Sequence, residues 1–252
     1  MKKILYVKWG GLGDHLQFST LPELFSKKGY DFYISDKSDY RDFSHYDLIW
    51  GKNPHVKGIT SEEANCGHVE NWGISPEKKV QFNPDLSIHK NIEDLYDLEG
   101  NSNYPKIYYK PNNIEEYNDY IFIDLNAASV ADHSHNKDVI INHINSFKGE
   151  KVIYSLTESS YGKSVIDHDF LNQLGFNPIK TEGIFNYTDI IYSVKKFVCL
   201  WSGGSHLATS IKKSYKENLE IDCLKVDMNP GSGWGEKDKS FFWYDCINYI
   251  YC

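Results

Sequence analysis

Two glycine-rich turns between a strand and a helix constrain this chain more than any other feature. The first is residues 9–15 (WGGLGDH), directly after the strand-like run 4–7. The second is residues 201–206 (WSGGSH), directly after the run 197–200. Backbone N–H groups at the start of a helix favour anions such as phosphate. The turns therefore predict two α/β halves, and the carboxylate of Asp14 in the first turn indicates group transfer from a phosphorylated donor.

Composition and charge narrow the class of protein. The 252 residues suit one large domain or two small ones, and 40% hydrophobic residues are enough for an ordinary core. The net charge of −8 argues against a nucleic acid partner, because phosphate backbones are bound by basic faces. Nearly all of the positive charge is lysine, and Arg41 is the only arginine.

Cysteine usage and hydropathy indicate the compartment. The chain has 5 cysteines with no C-x-x-C pair, so we expect reduced, structural thiols. We find no signal-peptide core and no segment of transmembrane length. The expected location is the cytoplasm, and lysines in residues 212–216 leave open a weak peripheral contact with the inner face of the membrane. A patch at residues 132–135 (DHSH) lacks further ligands, so no metal site is predicted.

Alternating strand and helix patterns run through both halves. In the first half we predict strands at 3–7, 31–35 and 47–50, with a helix between the first two that begins at a capping-box pattern on Thr20. In the second half we predict strands at 120–125, 151–156, 197–200 and 220–227, separated by helices. Such βαβ units produce parallel sheets. A linker-like stretch at 104–113 predicts an N-terminal domain of residues 1–115 and a C-terminal domain of residues 116–252.

The first turn also resembles part of a dinucleotide-binding fingerprint. Gly11 and Gly13 match two of its three glycines, and Asp36 lies where a ribose-binding acid would follow the second strand. Leu16 occupies the place of the third glycine. An NAD(P)-binding oxidoreductase therefore stays open as an alternative, whereas the chain has no P-loop motif.

Both turns resemble motifs of one enzyme family. Residues 3–16 (KILYVKWGGLGDHL), followed by Leu21 and Pro22, resemble the opening of the heptosyltransferase-like glycosyltransferases of family 9. Residues 202–208 (SGGSHLA) are similar to the C-terminal hallmark of that family, an Asp-Ser/Thr-Gly-x-x-His-Leu-Ala pattern after a strand. The resemblance covers most of the chain in order.

The resemblance implies a fold and an activity. The fold is GT-B, in which two Rossmann-like domains face each other across a cleft. The activity is inverting and metal-independent transfer of a sugar, with heptose as one candidate, from a nucleotide-diphosphate sugar. The acceptor is a hydroxyl of a surface glycan such as lipopolysaccharide or capsule, which can be lipid-linked. The N-terminal domain holds the acceptor, the C-terminal domain holds the donor, and no cofactor is needed.

The family pattern also assigns roles to residues. Asp14 would be the base that takes the proton of the acceptor hydroxyl, as a carboxylate in a cleft can do. The candidate donor-binding residues are Gly11, Gly13, Asn126, Ser129, Lys137, Trp201, Ser202, Gly203, Gly204, Ser205 and His206.

One departure from the pattern supports a second alternative. Trp201 replaces the aspartate of the C-terminal hallmark, and the loop 127–136 lacks the Lys-x-Trp spacing of the family. An indole could instead stack on a base or a sugar. A non-catalytic subunit that binds a nucleotide sugar or glycan with the same fold therefore remains open.

Overall fold

The structure is a computed structural model that describes residues 1–68, 83, 86–100, 102–126, 135–156, 164–225 and 243–252. These residues form two compact units. The first contains the described residues up to Lys110, together with Trp243 and Tyr244. The second begins at Pro111 and includes the chain end from Asp245 to Cys252.

The described part of the first unit is a parallel sheet with short helices. Its strands are β1 (Lys2–Tyr6), β2 (Asp31–Ser35), β3 (Val56–Thr60) and β4 (Cys66–Gly67). Its helices are α1 (Leu12–Leu16), α2 (Leu21–Lys27), α3 (Ser44–Tyr46) and α4 (Ile88–Leu95). The strand order is β3-β2-β1-β4, and every neighbouring pair is parallel. The predicted βαβ unit of β1, α2 and β2 is confirmed.

Two predictions for this unit are wrong. Residues 47–50 form no strand but a buried π-helical turn, Asp47–Gly51, that continues α3. The apolar run 48–50 is too short to show a period that separates a buried strand from a buried helical turn. The capping box also fails, because Thr20 already has helical backbone angles (φ −84°, ψ −23°) and its side chain makes no cap hydrogen bond.

The second unit is a larger parallel sheet. Among the described residues its strands are β5 (Ile121–Asp124), β6 (Val152–Ser155), β7 (Asn177–Ile179), β8 (Lys196–Leu200), β9 (Glu220–Lys225) and β10 (Asn248–Tyr251). Its helices are α5 (Lys137–Asn145), α6 (His168–Gln173), α7 (Ile184–Ser193) and α8 (Gly203–Ser214). The order β10-β9-β8-β5-β6-β7 is the Rossmann order, in which the chain reverses direction across the sheet between β5 and β8.

The second sheet has helices packed on both of its faces, because its strands carry apolar residues on both sides. All four residues of β5 and β6 are buried. One face packs on α5 and α6 through Ile140, Ile144 and Leu171. On the other face, the ring of Tyr187 from α7 lies 5.9 Å from Phe122 and 6.3 Å from Phe197. Continuous apolar strands covered on both sides are typical of parallel sheets.

A buried ionic network ties three strands to α5. The carboxylate of Asp222 in β9 lies 3.1 Å from Nε2 of His143 and 3.1 Å from Nζ of Lys196, and accepts from Nδ2 of Asn248 at 2.9 Å. Burial alone would raise the pKa of Asp222, but these hydrogen bonds and the lysine charge lower it to about 2. Asp222 is therefore ionised at neutral pH and fixes the positions of its partners.

The aromatic segment near the chain end belongs to two units. Trp243 and Tyr244 group with the first unit, where the hydroxyl of Tyr244 lies 3.4 Å from Nε2 of His89 in α4. Residues 241 and 242 lie outside the described residues. β10 follows in the second unit. Within the described ranges, no helix has the length and apolar character needed to cross a membrane.

Candidate functional site

The first glycine turn holds a carboxylate at the carboxyl end of β1. Gly11 is the cap residue before α1, in an extended conformation (φ −73°, ψ 154°). Its backbone N–H donates to Oδ2 of Asp14 at 3.0 Å. A carboxylate in the first helical turn is also favoured by the helix dipole. The turn therefore fixes the side chain of Asp14, and Gly13 lies beside it within α1.

The environment of Asp14 gives it the properties of a base. Asp14 is half-buried, and burial raises the pKa of its carboxyl group to about 6. The hydrogen bond from Gly11 and the charge of Arg41 oppose that rise. A carboxyl group with a pKa near the working pH can accept a proton and release it again. The predicted base is thus held in a site suited to that role.

Sequence reasoning missed the position of Arg41. The loop after β2 brings it to the first turn, where its backbone N–H donates to the carbonyl of Gly10 at 2.9 Å. A Cβ on Gly10 would lie 2.6 Å from that nitrogen, so only glycine permits this approach. The guanidinium adds a positive charge near Asp14. The only signal in the sequence is that Arg41 is the sole arginine and follows a predicted strand closely.

His15 supports the turn through contacts of both ring nitrogens. Nε1 of Trp50 donates to its Nδ1 at 3.1 Å, so the proton of the neutral ring lies on Nε2, which is 2.8 Å from the carbonyl oxygen of Asp39. The ring stacks on Tyr40 with centroids 4.4 Å apart. Burial lowers the pKa of His15 to about 3. The imidazole is therefore neutral and both nitrogens are engaged.

His68 lies at the end of β4, beside the turn. Its Nδ1 accepts from the backbone N–H of Lys8 at 3.1 Å, and its ring meets the exposed Trp9 edge-on at 4.7 Å. Burial lowers its pKa to about 4, with a smaller contribution from the charge of Lys8. The carboxyl edge of this sheet thus carries Trp9, His68 and Asp14. His68 received no role from the sequence.

The second glycine turn starts α8 with a reciprocal cap. Oγ of Ser202 accepts from the N–H of Gly204 at 3.3 Å. The hydroxyl of Ser205 donates to the carbonyl of Ser202 at 2.7 Å and accepts from its N–H at 3.4 Å. Ser205 is buried, so its hydroxyl serves the turn itself. Ser202, Gly203 and Gly204 are only partly buried.

His206 lies in the first turn of α8 and is buried. Burial lowers its pKa to about 4, so the ring is neutral at pH 7. A neutral imidazole can still donate one N–H to a phosphate oxygen. An anion at this turn would stabilise the protonated ring and raise that pKa.

Asp124 and Tyr187 connect two predicted donor-binding segments. Asp124 ends β5, and its Oδ2 accepts from the hydroxyl of Tyr187 at 2.6 Å. Its Oδ1 accepts from the backbone N–H and Nδ2 of Asn126, at 3.1 and 2.9 Å. A Cβ on Gly204 would lie 2.8 Å from the Tyr187 hydroxyl. Asn126 and the start of α8 therefore lie close together at the carboxyl ends of β5 and β8. The strand order reverses between these two strands, and Rossmann sheets bind ligands at that point.

A buried lysine beside this point was also missed. Lys225 ends β9, and its Nζ lies 4.8 Å from the centre of the Trp201 ring. The sequence offered no motif for it, because a single lysine at the end of a strand is usually solvated. Trp201 itself is buried at the end of β8.

The remaining predicted residues differ in how they are placed. Lys137 is exposed in the first turn of α5, after its cap residue Asn136. Ser129 lies outside the described residues, as does most of the patch at 132–135. Within the part of the chain that the structure describes, no group of three His, Cys, Asp or Glu side chains could hold a metal ion.

No family model and no curated protein matches the sequence of this chain. Solved structures match its fold. A family 9 glycosyltransferase from Veillonella parvula matches with a TM-score of 0.63 at 10% identity, over 100% of this chain and 86% of that chain. The E. coli heptosyltransferase WaaC with ADP matches with a TM-score of 0.57 at 9% identity, over 100% of this chain and 91% of that chain.

The iron-containing dodecameric glycosyltransferase TibC from enterotoxigenic E. coli matches with a TM-score of 0.60 at 14% identity. The match covers 94% of this chain and 61% of that chain. This chain therefore spans about three fifths of the TibC chain. Likeness at such identities establishes architecture, and the parallel sheets agree with it. This chain has the fold of the heptosyltransferase-like glycosyltransferases of family 9.

Proposed function

We propose that this chain is an inverting, metal-independent glycosyltransferase that uses a nucleotide-diphosphate sugar, with heptose as the first candidate sugar. The observation that carries the proposal is Asp14, held by Gly11 at a strand-to-helix turn with its pKa raised to about 6. The acceptor we propose is a hydroxyl of a surface glycan such as lipopolysaccharide or capsule. Transfer would take place in the cytoplasm, where the acceptor can be presented on a lipid.

Asp14 would act as the general base. Its carboxylate takes the proton of the acceptor hydroxyl while that oxygen attacks the anomeric carbon from the side opposite the diphosphate. The bond between the anomeric carbon and the diphosphate oxygen breaks, and its electron pair leaves with the phosphate. Attack from the opposite side inverts the configuration. Arg41 lowers the pKa of Asp14, because a nearby cation favours the charged form. A larger fraction of the carboxylate is therefore ionised at neutral pH.

The start of α8 would receive the leaving diphosphate. Its backbone N–H groups and helix dipole favour negative charge without a metal ion. His206 in the same turn is a candidate N–H donor, and Lys137 in the first turn of α5 is a candidate countercharge. Support for a nucleotide sugar comes from related folds: WaaC is described with ADP, and TibC with ADP-D-beta-D-heptose.

Binding and transfer are tested separately. Thermal-shift measurements against nucleoside diphosphates, nucleotide sugars and NAD(P) identify the donor class, because a ligand that binds only the folded state raises the Tm. Transfer is then measured with the donor that binds, in EDTA, for the wild type and Asp14→Asn. We expect Asp14→Asn to abolish transfer and to keep donor binding. The matched control is Asp36→Asn, an exposed carboxylate after β2, which should keep both.

Two outcomes would replace this proposal. Retained transfer in Asp14→Asn would remove Asp14 as the base. A shift with NAD(P) alone would favour the oxidoreductase, and Asp36→Asn should then weaken that shift. The alternative of a non-catalytic binding subunit has one specific observation in its favour, the buried Trp201 in place of the hallmark aspartate. It predicts donor or glycan binding with no turnover in the wild type.

A further inference from the structure

His15 connects the helix that carries Asp14 to the loop that carries Arg41. It follows Asp14 in α1, and its Nε2 lies 2.8 Å from the carbonyl oxygen of Asp39. Its ring also stacks on that of Tyr40, with 4.4 Å between the centroids and 11° between the planes. Asp39 and Tyr40 are the two residues directly before Arg41. One buried imidazole therefore joins the two segments.

Trp50 determines which nitrogen of His15 carries the proton. Nε1 of an indole can only donate, and that of Trp50 lies 3.1 Å from Nδ1 of the imidazole. Nδ1 is therefore the acceptor, and the proton on Nε2 is donated to the carbonyl of Asp39. Trp50 comes from the π-helical turn Asp47–Gly51, and such turns are frequent at functional sites. The indole thus makes the imidazole a donor towards the loop.

The loop brings the charge of Arg41 to the first turn. Its backbone N–H is bonded to the carbonyl of Gly10 at 2.9 Å. Arg41 is exposed, so the position of its charge depends on where the loop holds its backbone. A Cβ on Gly11 would lie 2.6 Å from Oδ2 of Asp14 and 3.7 Å from Nη1 of Arg41. The carboxylate and the guanidinium therefore flank the same point of the turn.

The charges around this point are few. Arg41 supplies the positive charge that acts on Asp14. His45 and His68 act on His15, and burial lowers the pKa of both, so their rings are neutral at pH 7. Because a nearby cation favours the charged form of a carboxyl group, the distance between Arg41 and Asp14 affects how readily Asp14 loses its proton.

We propose that His15 is a positioning residue that holds the charge of Arg41 beside the carboxylate of Asp14. It does so through the backbone of Asp39 and the ring of Tyr40. The inference rests on the proposed function for its consequence in catalysis, because only a transferase uses Asp14 as a base. The placement of the arginine itself is testable on the protein without substrate.

Two substitutions of His15 separate its two hydrogen bonds. An asparagine amide reaches about as far as Nδ1, so its oxygen can accept from Trp50, but it is too short to reach the carbonyl of Asp39. A glutamine amide reaches about as far as Nε2, so its NH₂ group can still donate to Asp39. We therefore expect His15→Asn to release the loop and His15→Gln to keep it in place.

The readout is the pKa of Asp14, measured by NMR titration of its carboxyl carbon in protein with labelled aspartate side chains. Asp14→Asn identifies the signal. We expect His15→Asn to raise this pKa by about one pH unit and His15→Gln to raise it much less. Arg41→Gln should raise it at least as much as His15→Asn, because it removes the charge outright.

A double-mutant cycle shows whether His15 acts through Arg41. In the Arg41→Gln background, His15→Asn should no longer raise the pKa of Asp14. A substitution that acts only by admitting water to the turn would change this pKa equally in both backgrounds. That result, or an unchanged pKa in His15→Asn alone, would overturn the inference.

A second histidine of the first unit is the matched control. The ring of His55 lies 5.7 Å from that of Tyr108, and His55→Asn should leave the pKa of Asp14 unchanged. If His15→Asn does not fold, Trp50→Phe takes its place. Without the indole N–H the imidazole can carry its proton on Nδ1, so we expect a rise in the same direction, again only where Arg41 is present.

The outcomes separate this inference from the proposed function. If the pKa of Asp14 responds as expected and the wild type turns over no nucleotide sugar, the proposed function fails and the placement of Arg41 by His15 stands. If transfer is observed and the pKa responds equally in both backgrounds, only the inference is overturned. Where both hold, the acidic limb of kcat/KM should move to higher pH in His15→Asn and stay near its place in His15→Gln.

Discussion

The hydroxyl of Tyr187 donates a 2.6 Å hydrogen bond to Oδ2 of Asp124, deep in the second unit. Burial raises the pKa of both groups. Because Asn126 supplies two further donors to Asp124, the ionised carboxylate is the form that these contacts satisfy. This bond links α7 to β5 beneath the start of α8. It therefore holds α7 and β5 in place beside the proposed donor site.

We expect Tyr187→Phe to lower the free energy of unfolding by about 1.5–3 kcal/mol, since it removes a donor from a buried charged acceptor. The matched control is Tyr154→Phe, which removes a 2.8 Å hydrogen bond to the neutral Asn172 and should cost about 0.5–1.5 kcal/mol. Urea unfolding measures both. Equal costs would mean that Asp124 is not charged in the folded state.

Glycine at position 204 is required by the same hydroxyl. Alanine would ordinarily stabilise a helix by up to about 1 kcal/mol over glycine. Here a Cβ would lie 2.8 Å from the Tyr187 hydroxyl, so we expect Gly204→Ala to destabilise the protein. The cost should shrink or reverse in the Tyr187→Phe background. A double-mutant cycle by urea unfolding measures that coupling, and simple additivity would contradict the prediction.

The elements with a strong period were predictable from the sequence, and the short apolar runs were not. The predicted strands coincide with apolar stretches that are bounded by turn residues, and they are β1, β2, β5, β6, β8 and β9. The run at 47–50 gave a strand where the chain forms a π-helical turn. β3 was not predicted. Its half-buried positions are Val56, Gly58 and Thr60, and only Val56 is clearly apolar, so the sequence shows no alternation of apolar and polar residues there.

The candidate site shows the same division. Asp14 and the serine cap of α8 stand within local motifs, so a single sequence points to them. Arg41, Asp124, Tyr187 and Lys225 reach the two turns from separate strands, loops and helices. Their relation to the turns depends on the order of strands in each sheet, which brings distant ends of the chain to one edge. No local sequence pattern shows that these four residues lie near the turns.

The rate of transfer should depend on pH through Asp14. A base must be deprotonated, so we expect kcat/KM to fall about tenfold per pH unit below a pH of about 6. Removing the nearby cation in Arg41→Gln should move this limb to higher pH, because the charge of Arg41 lowers the pKa of Asp14. Lys37→Gln, from the same loop after β2, is the control. An unmoved limb in Arg41→Gln would separate Arg41 from the base.

The carboxyl group of Asp14 should also lower the free energy of unfolding near neutral pH, where the proposed base is ionised. Its folded pKa of about 6 lies above the ordinary value of about 4, so the wild type loses stability as the pH rises from 4 to 6. Asp14→Asn avoids that loss and can still accept from Gly11. We expect it to be more stable than the wild type by about 1–2 kcal/mol at pH 8, with about half of that difference left at pH 5. Urea unfolding at both values checks this.

Acid should destabilise the chain through three histidines, of which two are buried and His68 is half-buried. The folded pKa values of His15, His68 and His206 are about 3, 4 and 4, whereas an unfolded histidine titrates near 6.5. Below pH 6.5 the unfolded state takes up protons that the folded state refuses. Stability is therefore complete above that pH and falls as the pH decreases towards 4, which is opposite in sign to the effect of Asp14.

His68→Gln isolates one of these contributions, since a glutamine oxygen can still accept from Lys8. Each histidine should account for about 1–2 kcal/mol of the stability lost between pH 7.5 and pH 5. The variant should therefore show a pH-dependent loss smaller than that of the wild type by this amount, whatever its stability at pH 7.5. Comparing the difference between the two pH values cancels any packing cost of the substitution. An identical difference in both proteins would mean that the pKa of His68 is the same in the folded and the unfolded state.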